Sequence, residues 1–190
     1  MKPDLSSPQA ISEMQERIQI LRAQIAAHPF VRGLTKEQLA TLADCAMETQ
    51  FKQGELVFRE GEFANRFYLI IEGEVVLESG VNGGATPIGT IGTNEVLGWS
   101  WLFPPYYWHF SARALKPTRA IFFYGTWLRE HCEHDHDLGY ELIKRMAEVM
   151  IQRLQSTRQQ LADVRALAPS PGANSSVLST TTKETEHEKP

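Results

Sequence analysis

QGELVFREGE (residues 53–62) and FYLIIEGEV (residues 67–75) carry the strongest structural signal in this chain. Three Gly-Glu pairs, beginning at Gly54, Gly61 and Gly73, interrupt short runs of β-branched and aromatic residues. Glycine accepts the positive φ angles of tight turns, whereas β-branched and aromatic side chains favour strands. The two stretches therefore predict short strands joined by structural turns at these three glycines.

Further strand signals surround these two stretches. Val75–Leu77 and Ala120–Tyr124 are short β-branched or aromatic runs, and Asn82-Gly83-Gly84 is a strong hairpin-turn signal. Several short strands with turn glycines favour a β-sandwich or a jelly-roll barrel over residues 50–125. The predicted fold class is therefore mostly β with flanking helices.

Three helices are predicted outside the strand region. Residues 10–28 form an amphipathic pattern between Ser7-Pro8 and His28-Pro29, and residues 35–47 follow with Thr35 as N-cap. The first of these helices has an apolar seam over residues 11–25, which either packs on its own domain or docks a partner. A third and longer helix is predicted over residues 137–166.

The long helix carries a narrow heptad seam. Its spacing of four and three residues is typical of a contact between two helices rather than of a helix that covers a large core. The seam therefore predicts a homodimer formed through residues 143–164. Its members are Ile143, Ala147, Met150, Leu154, Thr157, Leu161 and Val164.

The chain divides into four parts by this pattern. Residues 1–28 are the N-terminal amphipathic helix, 29–136 the strand-rich domain, 137–167 the long C-terminal helix, and 168–190 a polar tail predicted to be disordered. A length of 190 residues with 42% hydrophobic residues suits one domain of ordinary size with extensions.

The order of these motifs resembles the cyclic-nucleotide-binding domain of the catabolite-activator (Crp/Fnr) type. The resemblance rests on the Gly-Glu pairs from 53 to 75, on the loop Leu97–Leu102, on Phe110–Ala120 and on the long helix. It implies a β-roll (jelly-roll) with a long C-terminal dimerisation helix, in which cAMP or cGMP is held by backbone N–H groups of the loop. Helix N-termini suit such an anion because their N–H donors are unsatisfied.

The resemblance also implies a set of ligand-binding positions. Thr157 lies where the family has a hydroxyl that contacts adenine, and His109 where it has a Ser or Thr that touches phosphate. The implied positions are Gly98, Trp99, Ser100, Trp101, Leu102, Trp108, His109, Phe110, Ser111 and Thr157.

Two of these positions depart from the family pattern. Trp99 replaces the Glu that accepts from the ribose hydroxyl, and Trp108 replaces the Arg that pairs with the phosphate. Charge-assisted hydrogen bonds of this kind contribute about 1.5–3 kcal/mol each, so their joint loss weakens binding by roughly 150-fold to 10⁴-fold. Three interpretations stay open: aromatic side chains fill the site, they form a pocket for another flat anionic ligand, or an ordinary cyclic nucleotide binds. A protonated His109 would restore some charge and make binding pH-dependent.

The segment His131–His136 contains residue types that suit zinc, but all of them lie within one short region. We therefore predict no metal site there, and instead a solvated linker in which Asp135 or Asp137 caps the long helix. The strand region offers His109 alone as an inward metal ligand, and no nucleophile triad, phosphate loop or paired-acid motif is present. The sequence predicts no catalytic residues and no enzyme.

Composition limits the kinds of partner and the location that we expect for this chain. The net charge of -4 and the polar residues after Ala166 argue against DNA binding and leave no room for a helix-turn-helix domain. No apolar run is long enough for a membrane span, and two cysteines, Cys45 and Cys132, fit a cytoplasmic location. We predict a sensor or regulatory subunit that acts through an unknown protein partner and needs no cofactor beyond its ligand. The alternative is a degenerate, non-binding domain that serves as a scaffold dimer.

Overall fold

The computed structural model describes residues 7–80 and 84–167, with side chains up to residue 163. By its contacts the chain separates into two compact units, residues 1–147 and 148–190. The predicted hairpin turn at Asn82-Gly83 and the predicted disordered tail lie outside the described residues.

In the part of the chain that the structure describes, eight antiparallel strands form two four-stranded sheets. One sheet has the order β1-β8-β3-β6 and the other β2-β7-β4-β5. This arrangement confirms the predicted mostly-β roll. The strands are β1 (Ala46–Phe51), β2 (Leu56–Phe58), β3 (Arg66–Glu72), β4 (Glu74–Ser79), β5 (Thr86–Gly92), β6 (Val96–Leu97), β7 (Ser111–Ala114) and β8 (Thr118–Tyr124).

The roll encloses an aromatic-rich core. Side chains alternate between the two faces of a strand, so Tyr68 and Ile70 of β3 point to the same side as Phe122 of β8. They pack with Val75 and Leu77 of the other sheet. Burial of each such side chain contributes about 1.5–3 kcal/mol, which makes this cluster the main source of stability in the roll.

Among the described residues, four α-helices accompany the roll: α1 (Pro8–Ala27), α2 (Lys36–Asp44), α3 (Gly125–His134) and α4 (His136–Leu167). Ser7 caps α1 by accepting from the Ala10 N–H at 3.2 Å, and Thr35 forms a capping box with Gln38 on α2. The prediction that α2 reaches residue 47 was wrong, because β1 begins at Ala46, where pairing with β8 replaces the helix.

Helix α3 was not predicted. Its residues up to His134 are helical, so the expected solvated linker over 131–136 was wrong. The physical reason is that Leu128, 1% exposed, anchors a short helix whose apolar pattern is too brief to recognise. The predicted cap is confirmed, since the Leu138 N–H donates to the Asp135 carboxylate at 2.9 Å.

The burial of side chains on helix α4 differs between its faces. Within the first unit Leu138, Leu142 and Met146 are buried, and the Arg145 guanidinium donates to the Arg32 carbonyl at 2.8 Å. The members of the predicted heptad seam up to Leu161 are instead exposed, at 50% for Ile143 in the first unit and, within the second, at 37% for Met150, 61% for Leu154 and 56% for Leu161.

Helix α1 is also divided. Ile25 in its last turn is 1% exposed, so this end packs on the domain, as one of the two interpretations of its seam required. Ile11, Met14 and Ile18 remain exposed and form an apolar stripe on the first turns. Among the described residues, no helix combines the length and the apolar character needed to cross a bilayer.

Candidate functional site

The predicted ligand loop begins where β6 ends. Gly98 has φ +91 and precedes a single 3-10 turn, Trp99–Leu102. A Cβ on Gly98 would lie 3.0 Å from the Arg66 carbonyl and 3.0 Å from Trp108 Cη2. Glycine is therefore required here for two reasons: the backbone is left-handed, and the loop lies too close to β3 and to the indole ring for a Cβ.

Trp108 lies inside the roll. Its side chain is 3% exposed and stacks on Phe58, with ring centroids 3.8 Å apart and planes 12° apart. Its backbone is held as well, since its N–H donates to Glu62 and its carbonyl accepts from Gly61, both at 2.9 Å. The position at which the resemblance places a phosphate-binding Arg is therefore occupied by a fixed core aromatic.

Other predicted site residues form a rim around this position. Trp99 is partly buried and stacks on the exposed His109, with ring centroids 5.3 Å apart. Phe110 is partly buried against Phe58, and the Ser111 hydroxyl accepts from the Glu60 N–H at 3.0 Å. The structure thus brings an aromatic and imidazole rim together at the loop.

Ser100 and Trp101 are both 1% exposed, and Trp101 packs against Phe67 of β3. The Trp101 carbonyl accepts from the Arg129 guanidinium of α3. Burial of this kind anchors the loop to the sheet and to α3. The two side chains are therefore structural in this arrangement, whereas Leu102 is only partly buried.

Leu102 also borders a groove that the sequence did not reveal. The groove holds about 440 Å³ and contains the Arg129 guanidinium, 4.3 Å from the Tyr106 ring centroid. Because α3 supplies one wall and was not predicted, no sequence pattern pointed to the groove. Its lining is Leu102, Tyr106, Arg129, Cys132, Glu133, His136, Gly139, Tyr140 and Ile143.

The thiols do not add reactive chemistry. Burial raises the pKa of Cys132 to about 11 and that of Cys45 to about 12. A thiol is a nucleophile or metal ligand only when it is ionised, so both remain protonated at neutral pH. In the part of the chain that the structure describes, no group of three His, Cys, Asp or Glu side chains could hold a metal ion.

Arg66, the first residue of β3, was not among the predicted site residues. Its guanidinium carbon lies 4.8 Å from the Phe122 ring centroid, on the inner face of the sheet. Its Nε is buried and has no hydrogen-bond partner among the residues described. A sequence signal existed, because no Lys or Arg occurs between Arg66 and Arg113 and the loop therefore has no other strong cation nearby in sequence.

Thr157 lies on α4 in the second unit. Its side chain is exposed, and its hydroxyl donates to the Arg153 carbonyl one turn earlier at 2.9 Å. Its role as a contact to the base of a ligand stays a prediction.

Comparison with known proteins supports the family resemblance. The sequence profile of the cyclic nucleotide-binding domain matches residues 48–135. A solved structure from Geobacter metallireducens, of a protein named for cyclic-nucleotide binding, is 32% identical and has a TM-score of 0.63. The match covers 72% of this chain and 96% of that protein.

Two curated relatives are much longer than the matching region. The CRP-like cAMP-activated global transcriptional regulator of Mycobacterium tuberculosis is 28% identical over 134 residues, which are 70% of this chain and 58% of the regulator. The cGMP-dependent protein kinase egl-4 of Caenorhabditis briggsae is 32% identical over 74 residues, 38% of this chain and 10% of the kinase. With the roll, the left-handed Gly98 and the loop in place, the chain belongs to the cyclic nucleotide-binding domain family.

Proposed function

We propose that this chain is a non-enzymatic sensor or regulatory module that binds a flat, negatively charged small molecule at the loop and acts through a protein partner. One observation carries the proposal: Trp99 at the loop is partly exposed and stacks on the exposed His109, with ring centroids 5.3 Å apart. An aromatic rim suits a flat ligand, because aromatic faces stack on planar groups.

An ordinary cyclic nucleotide is disfavoured by the same geometry. The relatives include a cAMP-activated regulator and a cGMP-dependent kinase, so cyclic nucleotides are the first ligands to test. By the resemblance, Trp99 stands where the family has the Glu that accepts from the ribose hydroxyl, and the buried Trp108 where it has the Arg that pairs with the phosphate. Neither tryptophan carries a charge, so a cyclic nucleotide would lack the two charge-assisted hydrogen bonds that the resemblance assigns to these positions.

Titration of cAMP and of cGMP to millimolar concentration is expected to give no saturable heat and no shift in unfolding temperature. A panel of flat anions, such as aromatic carboxylates, is expected to include one that stabilises the protein saturably. Trp99→Ala, at a partly exposed position, should weaken that binding while the protein stays folded. Isothermal calorimetry and thermal unfolding measure both effects.

Micromolar binding of either cyclic nucleotide would contradict the proposed occlusion. A ligand at a hundred times its dissociation constant stabilises the fold by about 2.7 kcal/mol, so such binding would be easy to see. If neither cyclic nucleotides nor flat anions bind, the scaffold alternative is favoured. The burial of Trp108, at 3% exposure, is the observation that supports that alternative.

The output would pass through a homodimer formed by residues 143–164. Exposure of Leu154 and Leu161 supports this proposal, because two copies can bury these apolar side chains against each other. A ligand acts on such a dimer only if it binds one arrangement of the helices better than another. The exposed stripe at Ile11, Met14 and Ile18 offers a second surface for the unknown partner.

Leu154→Glu is expected to convert the dimer to a monomer. Like charges brought together across an interface cost several kcal/mol, and the two substituted side chains would meet in the seam. Gln155→Glu adds the same charge one position outside the seam and should leave the dimer intact. Sedimentation velocity distinguishes the species, and a wild-type protein that sediments as a monomer at micromolar concentration would overturn the dimer proposal.

A further inference from the structure

Arg66 presents a cation to the inside of the roll without an anion to balance it. It stands on the same face of β3 as Tyr68, whose side chain is 1% exposed, and its guanidinium lies over the Phe122 ring. Within residues 7–80 and 84–167, no carboxylate is within ion-pair distance of Arg66, although six other ion pairs are formed. The Nε atom is both buried and unpaired.

Arg66 is partly buried, and the burial of its Nε without a partner is costly for the free protein. Buried charged groups are normally paired, because removing a charge from water costs several kcal/mol that only a counter-charge or hydrogen bonds offset. Contact with an aromatic face offsets part of the cost, typically about 0.5–2 kcal/mol. The neighbouring Tyr68 adds no negative charge at neutral pH, because burial raises the pKa of its phenol, and the nearby Arg66 only partly counteracts that effect.

The position of Arg66 connects it to the loop. Its own carbonyl is one of the two groups that leave no space for a Cβ on Gly98, and the other is the Trp108 ring. The backbone of Arg66 therefore borders the loop at the point where the Trp108 ring also meets it, and its guanidinium lies on the inner face of the same strand. Around it lie Phe122 and, paired with it across the strands, Tyr124, whose ring packs edge-to-face on Phe122.

We infer that Arg66 is the anchor for the anionic group of the ligand and takes over the role that an Arg at position 108 would have had. The guanidinium fork matches a carboxylate or a phosphate through two parallel hydrogen bonds, and the aromatic side chains around it suit a flat body. The inference rests on the proposed sensor function and specifies its ligand as a planar molecule with one terminal carboxylate or phosphate.

The test compares benzoate, phenyl phosphate and the neutral benzyl alcohol on the wild-type protein, Arg66→Met, Arg66→Lys and the control Arg59→Met. Arg59 is an exposed residue in a loose ion pair with Glu62, so the control removes a surface charge only. We expect one of the two anions to bind both the wild-type protein and the Arg59→Met control saturably. Benzyl alcohol should bind neither of these two proteins. Arg66→Met should weaken anion binding by roughly tenfold to 150-fold, and Arg66→Lys should restore part of it.

The unfolding temperature of the free protein separates a binding role from a structural one. Arg66→Met should keep or raise it, because the substitution removes an unpaired, partly buried charge and retains similar volume. A marked fall would show that Arg66 stabilises the roll and would overturn the inference.

If the anions bind Arg66→Met as tightly as wild type, the sensor proposal stands and the role of Arg66 is refuted. If neither benzoate nor phenyl phosphate binds the wild-type protein, the inference fails, while saturable binding of another flat ligand would leave the sensor proposal standing.

Discussion

Trp108→Ala is expected to lower the free energy of unfolding by about 3–5 kcal/mol, the range for removing a large aromatic side chain from a packed core. The side chain is 3% exposed, stacks on Phe58 at 3.8 Å and also closes the space above Gly98. Its loss would leave a cavity between β2 and the loop that the surrounding strands cannot close. Urea unfolding, followed by circular dichroism, measures the change.

Trp99→Ala is the matched control for this prediction. It removes the same side chain from the same loop, but from a partly exposed position where the main contacts are His109 and Phe103. Its cost should be clearly smaller than that of Trp108→Ala. If the two substitutions destabilise the protein equally, or if Trp108→Ala costs less than about 1 kcal/mol, Trp108 is not the core residue that the structure places there.

The roll could be predicted because its signals are local. Runs such as Phe67–Ile71 have the residue types of strands, and Gly73 has the type that a tight turn needs, so each element is specified by a few neighbouring residues. The helix caps are local in the same sense. Thr35 and Asp135 form the predicted hydrogen bonds because an N-cap depends only on residues two or three positions away.

The division of the aromatic loop could not be predicted for a physical reason. Trp99, Trp101 and Trp108 have the same side chain within ten positions, yet the first is partly exposed and the others are buried on different sides of the first sheet. Which indole enters the core depends on the space left by Phe58 and Phe67, residues distant in sequence. Patterns within the loop contain no information about that space.

The environment of Arg66 also could not be predicted from neighbouring residues. In sequence it opens an ordinary strand, where a charged residue usually faces solvent. Pairing of β3 with β8 determines that it shares a face with Tyr68 and lies over Phe122. Only the absence of other cations as far as Arg113 was visible in the sequence, and that observation has meaning only when the loop and the strand are seen side by side.

Gly73→Ala is expected to destabilise the protein by about 2–5 kcal/mol. Gly73 has φ +104, a conformation that costs an L-residue about 1–2 kcal/mol or more. A Cβ would also lie 2.5 Å from the Thr118 hydroxyl and 2.6 Å from the Pro117 carbonyl, and forcing such overlap costs about 1–3 kcal/mol. Thr118 cannot move away easily, because it is 1% exposed and its hydroxyl donates to the Lys116 carbonyl at 2.8 Å.

Gly61→Ala separates the two contributions, since Gly61 has φ +80 and nothing lies within 4 Å of its missing Cβ. It should cost about 1–2 kcal/mol, from backbone conformation alone. The difference between the two variants in urea unfolding therefore measures the close approach of the β3–β4 turn to the start of β8. Equal costs at both positions would mean that this turn relaxes freely, and the packing between the two sheets would then depend on the aromatic core rather than on the turn.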